Sequence, residues 1–215
     1  MNSASKKTLS SFRYPKQLHS RRLSPGPFTQ ARQYINALQE EFYGSCVYCM
    51  VPDGLGITFE VEHYRPESRF PKLATKYSNL FYACRTCNGR KGKKWKERRR
   101  DAEFIVNPCD DRMTQHLRFR GSRVDAQSTA GEFTSETLQL NDDEALKVRE
   151  RFVLAVENTL ATLKTIEENI RKLTTISTND PRRSKADAAR VDFQKKHASN
   201  LDFLRSLLGR DRRRI

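Results

Sequence analysis

No apolar stretch in this chain approaches the roughly 20 residues needed to cross a bilayer, so no membrane span is expected. The first residues, MNSASKKTLSSFRYPK, lack the apolar core of a secretory signal. They read instead as a solvated basic arm, and the expected setting is the cytoplasm. Hydrophobic residues make up only 36% of the chain and mean hydropathy is -0.80, which excludes a large core. Tryptophan occurs once, at Trp95, and no internal repeat is present, which excludes a solenoid. Acidic residues are also short: 26 Asp and Glu face 41 Lys and Arg, a net charge of +15. An excess of that size points to a polyanionic partner.

The excess is not spread evenly. Residues 85–100 hold nine Lys or Arg and one Glu, whereas residues 101–180 hold ten Lys or Arg against fifteen Asp or Glu. One short run therefore reaches for an anion while the following region is acidic. The five cysteines are equally uneven. Four fall in two Cys-x-x-Cys pairs, Cys46/Cys49 and Cys84/Cys87, separated by 34 residues, and Cys109 stands apart. Without a secretory signal a disulfide framework is not expected, and two such knuckles read as a structural Zn²⁺ site.

Along the chain, residues 1–28 read as a basic, flexible arm rich in Ser, Lys, Arg and Pro. From Thr29, a candidate N-cap, QARQYINALQEEF predicts a helix leading into the first knuckle, GSCVYC. ITFEVEHY alternates, with Ile57, Phe59 and Val61 on one face and Thr58, Glu60 and Glu62 on the other, which predicts a half-buried strand. NLFYA predicts a second strand, and the second knuckle opens a short helix. FIVNPCDD predicts an extended segment, and residues 116–140 a turn-rich hairpin. NDDEA then opens a long helical pattern through Leu146, Phe152, Val153, Val156, Leu160, Leu163, Ile166, Ile170 and Leu173, broken at STNDPRRS and followed by a second helix with Val191, Phe193, Leu201, Leu204 and Leu208. The expected division is the arm, a core over residues 29–108, and a mainly helical region over residues 109–215.

The motif order Cys-x-x-Cys, Glu62-His63-x-x-Pro66, Asn79, then Cys-x-x-Cys-Asn88-x-x-Lys91 resembles the HNH endonuclease family in its four-cysteine form. The resemblance implies a zinc-stapled ββα-metal unit of the α+β class, with an α-helical C-terminal region beyond it. Chemistry suggests the roles. Phosphodiester hydrolysis needs a water nucleophile, a base and a cation to stabilise charge on phosphate. His63 suits the base, since a neutral imidazole takes a proton near pH 7. Glu62 supplies a hard oxygen of the kind Mg²⁺ or Mn²⁺ prefers. Asn88 occupies the family's second metal-ligand position. Asn79 matches the family's middle Asn, which holds the base-bearing segment by hydrogen bonds. Arg65, Arg90, Lys91, Lys93, Lys94 and Arg98 are the expected phosphate contacts, and Trp95 stands either as a base-stacking platform or as packing.

The segments beyond the core, FIVNPCDD, HLRF and a long helix, more loosely resemble HNH proteins of Septu-type and retron-associated bacterial anti-phage systems. That resemblance implies a defence effector acting on nucleic acid, expected to be DNA, alongside an ATPase partner docked on the helical region. An alternative stays open at this point. A non-catalytic, zinc-stapled nucleic-acid-binding module would keep the cysteines and the basic run and would make the Glu62-His63 pair structural.

Overall fold

A computed structural model describes residues 12–98 and 102–208. A 3-10 turn, Ala31–Tyr34, runs into α1 (Ile35–Glu41). Gln30 rather than Thr29 stands at the start, in a reciprocal capping arrangement with Gln33. β1 (Phe59–His63) and β2 (Leu80–Cys84) form an antiparallel pair, with Phe59 opposite Cys84 and His63 opposite Leu80. The alternation in β1 turns Phe59 onto Tyr82, ring centroids 4.6 Å apart, and leaves Glu60 and Glu62 on the other face. α2 (Arg85–Lys91) follows β2 without a linker and uses Cys84 as its N-cap residue. Gly92 ends it at φ 49°, ψ -125°, a conformation available to glycine and not to a residue with a Cβ.

Beyond the core, α3 (Met113–His116) leads into a hairpin of β3 (Leu117–Arg120) and β4 (Arg123–Ala126). α4 (Thr129–Thr137) comes next, with the Ser128 hydroxyl accepting from the Gly131 amide. The sequence reading put only turns and a hairpin here. α4 escaped it because Thr, Ser and Gly dilute its apolar pattern. Residues 104–106 are buried and lie outside every helix and strand among the described residues. α5 (Asp143–Thr174) is capped by Asp142, whose side chain accepts from the Ala145 amide. α6 (Arg183–Leu208) packs back along α5. No helix among the described residues is long and apolar enough to cross a membrane.

The core draws on the whole described chain. Phe12 is 1% exposed and lies against Phe119 and Phe152, while Tyr14 donates its hydroxyl to the buried Tyr48 carbonyl at 2.6 Å. The expected flexible arm is therefore corrected over residues 12–28; residues 1–11 lie outside the described residues. Glu41, fully buried, accepts from the amides of Arg22 and Leu23 and pairs with His19 at 2.9 Å. The Arg21 guanidinium sits about 5 Å from the ring centroids of Phe42, Tyr77 and Phe81. Composition misled here because a flat, weakly hydrated guanidinium can be buried among aromatic rings where a lysine ammonium could not.

The helical hairpin buries part of the stripe read from sequence. Phe152, Val156, Leu163 and Ile166 are buried on α5, and Leu204 and Leu207 bring the end of α6 onto the core. Leu154, Leu160, Val191 and Phe203 stay exposed.

Candidate active site and metal centre

The cysteine centre is built by backbone first. The Cys46 amide donates to the Val51 carbonyl and the Met50 amide to the Cys46 carbonyl, which curls the first knuckle. The Val47 amide then donates to Tyr82, fixing the knuckle against β2. All four Sγ atoms of Cys46, Cys49, Cys84 and Cys87 lie within 4.8 Å of one another, and those of Cys49 and Cys84 are 3.7 Å apart. A disulfide needs about 2.05 Å. A tetrahedral Zn²⁺ with Zn–S near 2.3 Å spaces its sulfurs about 3.8 Å apart, which this cluster fits. Cys109 stands outside it.

Hydrogen bonding with Cys46 and Cys84 pushes the Cys49 thiol up, while hydrogen bonds from Cys46, Cys49 and Cys87 lower the Cys84 thiol. Cysteines bind a divalent ion as thiolates, so metal binding to such a cluster would release protons.

The second centre is an open cleft of about 360 Å³ lined by Glu62, His63, Pro66, Glu67, Ser68, Asn88, Gly92 and Lys93. The strand end contributes Glu62 and His63, and the first turns of α2 contribute Asn88. His63 Nε2 lies 2.9 Å from the Ala74 carbonyl. A carbonyl only accepts, so in the neutral ring the proton sits on Nε2 and Nδ1 keeps a free lone pair. Asn79, buried at 5% exposure, holds the loop that makes this possible. Its Oδ1 accepts from the Arg65 amide at 2.9 Å, and its Nδ2 donates to the carbonyls of Arg65 at 3.1 Å and Leu73 at 3.2 Å. The loop between His63 and Ala74 is thereby tied at both ends.

Glu62 is 2% exposed and pairs with the Lys91 ammonium. Burial pushes its carboxyl up to about 7 in spite of that pairing. Glu62 and Asn88 both line the cleft, so a carboxylate and a side-chain amide are available there to a hard divalent cation.

Two expected phosphate contacts are corrected. Lys91 is fully buried and donates to the His63 carbonyl at 2.8 Å as well as pairing with Glu62, so it faces inward. Arg90 turns toward the C-terminal region, pairing with Asp142 and donating to the Gln139 carbonyl at 3.0 Å. Helical geometry explains both, since a run of basic residues on a helix cannot all face one way. Lys93 and Lys94 are exposed beside the cleft, and Arg98 pairs with Asp111 at 2.7 Å while staying half exposed. Arg65 is exposed, with its guanidinium near Phe70 and Trp95. Trp95 packs edge-on against Phe70 at 4.8 Å. Arg99 and Arg100, the end of the basic run, lie outside the described residues.

Glu60 was missed. The alternation had set it on the same face as Glu62, but no role followed from that. It accepts from Asn88 Nδ2 at 2.8 Å and from Arg85 Nε at 2.7 Å.

A strand pair, the helix that follows it and a four-cysteine cluster have the arrangement of an HNH-type unit, and residues 46–94 match the family model described as HNH endonuclease. Over a longer stretch the chain is 30% identical across 148 residues to the Septu protein PtuB of Bacillus thuringiensis, covering 68% of this chain and 54% of that protein. It is 25% identical across 115 residues to the Septu protein PtuB of Bacillus mycoides, covering 41% of this chain and 39% of that protein. The chain spans about half the length, or less, of these curated relatives.

Proposed function

We propose that this protein is a metal-dependent HNH endonuclease that hydrolyses phosphodiester bonds, acts on DNA, and serves as the nuclease of a bacterial anti-phage defence complex in the cytoplasm. The observation that carries the reading is His63: its Nε2 is spent on the Ala74 carbonyl, and its Nδ1 is left to a cleft shared with Glu62 and Asn88. His63 Nδ1 takes a proton from water as the water oxygen bonds to phosphorus and the bond to the leaving oxygen breaks. Asn79 keeps the His63 loop in place, so the imidazole keeps its tautomer and direction. Glu62 and Asn88 would hold Mg²⁺ or Mn²⁺, which when bound supplies charge stabilisation to the phosphate and the leaving oxygen. Lys93 and Lys94 steer the backbone of the substrate toward the cleft. Zn²⁺ on the four cysteines is structural, clamping the ends of β2 and the first knuckle. The likeness to Septu proteins supports the defence setting, with an ATPase partner on the helical region, where Leu154, Leu160 and Val191 remain exposed.

One observation favours the alternative of a non-catalytic zinc-stapled binding module: Glu62 already has a cationic partner in Lys91. Cleavage separates the two readings. Wild type is expected to cut nucleic acid with Mg²⁺ or Mn²⁺ across a panel of single- and double-stranded DNA and RNA. His63→Ala is expected to lower the rate about 10²- to 10⁴-fold with nucleic-acid binding intact. Binding without cleavage by the wild type, or equal cleavage by the variant, would establish the alternative or displace His63 from its role.

A further inference from the structure

β1 presents two carboxylates on one face, Glu60 and Glu62, about 6.6 Å apart along the strand. Only Glu62 lines the cleft. Glu60 lies behind it, where Arg85 and Asn88, one helical turn apart on α2, both reach the same carboxylate. The Arg85 guanidinium pairs with this carboxylate at 2.7 Å, its Nε on one oxygen and the Asn88 amide on the other. An ionised carboxylate is an acceptor on both oxygens. Whatever sits 2.8 Å from it must donate, so the Asn88 amide is obliged to turn its NH₂ toward Glu60. The Asn88 carbonyl oxygen is then the end left for the cleft. A hard divalent cation takes that oxygen and cannot take the nitrogen.

We propose that Glu60 is a positioning residue: it fixes the Asn88 side-chain amide so that the oxygen, not the NH₂, is presented to a cation in the cleft. The proposal rests on the HNH reading above. An asparagine ligand is ambivalent, and without a partner on its nitrogen it can offer either end. Glu60 removes that choice without touching cation or substrate. A carboxylate at position 88 would have no wrong end, and beside Glu60 it would instead be repelled.

This difference gives the test, a four-way comparison of the full chain as wild type, Glu60→Ala, Asn88→Asp and the double variant. Mn²⁺ binding is followed by loss of the free-ion EPR signal, with zinc content and thermal midpoint as controls. Glu60→Ala is expected to weaken Mn²⁺ about 10-fold or more when residue 88 is Asn, the scale typical of residues that orient metal ligands. In the Asn88→Asp background the same change is expected to cost nothing or to tighten binding, because both oxygens of Asp serve and the neighbouring charge is gone. Equal weakening in both backgrounds would make Glu60 a direct ligand or a plain structural tie and overturn the proposal, as would no weakening in the Asn88 background. If Glu60→Ala loses zinc or folding, Glu60→Gln takes its place. Its own amide can turn, so the loss should again depend on residue 88. A wild type that binds no Mn²⁺ overturns the metal-nuclease reading itself, a result distinct from either failure.

Discussion

The four-cysteine unit of residues 46–94 and the helical hairpin of α5 and α6 reach order by opposite routes. In the first, two five-residue strands and a seven-residue helix are each too short to be stable in isolation. Four cysteines, the buried Glu62–Lys91 pair and the Asn79 hydrogen bonds fix them instead. In the second, 32- and 26-residue helices are held mainly by an apolar stripe, and large apolar side chains remain outside it. Dense polar constraints set side chains to within the tolerance chemistry needs, whereas an apolar stripe sets only which faces meet. The regions meet where Arg90 pairs with Asp142, the N-cap of α5.

The largest expected effect comes from removing zinc. Structural zinc contributes on the order of 10 kcal/mol to small domains. Chelation, or Cys84→Ser, is expected to abolish the near-UV circular dichroism of the core aromatics while a larger share of the far-UV helical signal survives in α5 and α6. Coincident loss of both signals would break the comparison and make the chain one cooperative unit.

A smaller effect sharpens the second half of the contrast. Phe152, fully buried against Phe12, should cost about 3–5 kcal/mol when changed to Ala, measured by urea unfolding. Leu154, two residues along and 56% exposed, should cost within about 0.5 kcal/mol. Similar costs at both sites would mean that the outer face of α5 is as constrained as the inner one.

The smallest effect is at the joint. Burial opposes ionisation of Asp142, but the Ala145 amide and the Arg90 guanidinium more than offset it and hold its carboxyl below the usual value of 3.8. A depressed carboxylate contributes stability that is complete above its unfolded pKa and is lost as pH falls through the folded one. Asp142→Ala should therefore cost about 1 kcal/mol at neutral pH, as N-cap removals do. Wild type and variant should converge in acid, below pH 3.8. A gap that does not narrow there would mean that the Asp142 charge contributes nothing to the link between α2 and α5.

The strands, the helix after the second knuckle, the long helices and the hairpin were legible because period and spacing are local. That Glu62, His63 and Asn88 line one cleft follows a motif order that is linear. Side chains that pair across distance were not legible. Lys91 and Arg90 look alike in a basic run, yet one is buried under β1 and the other reaches Asp142, 52 residues away. Residues 12–28 looked solvated because Arg and Ser mask the few aromatics that anchor them.

By itself, then, the sequence determined which cysteines cluster, the candidate base and the faces of the strands and long helices, since each follows from residue type and spacing along the chain. Only the tertiary structure decided which charges are spent inside the fold, which nitrogen of His63 is free, and that Glu60 stands behind Asn88. Those depend on what the folded chain brings to within 3 Å of a group, and no spacing along the chain encodes that distance.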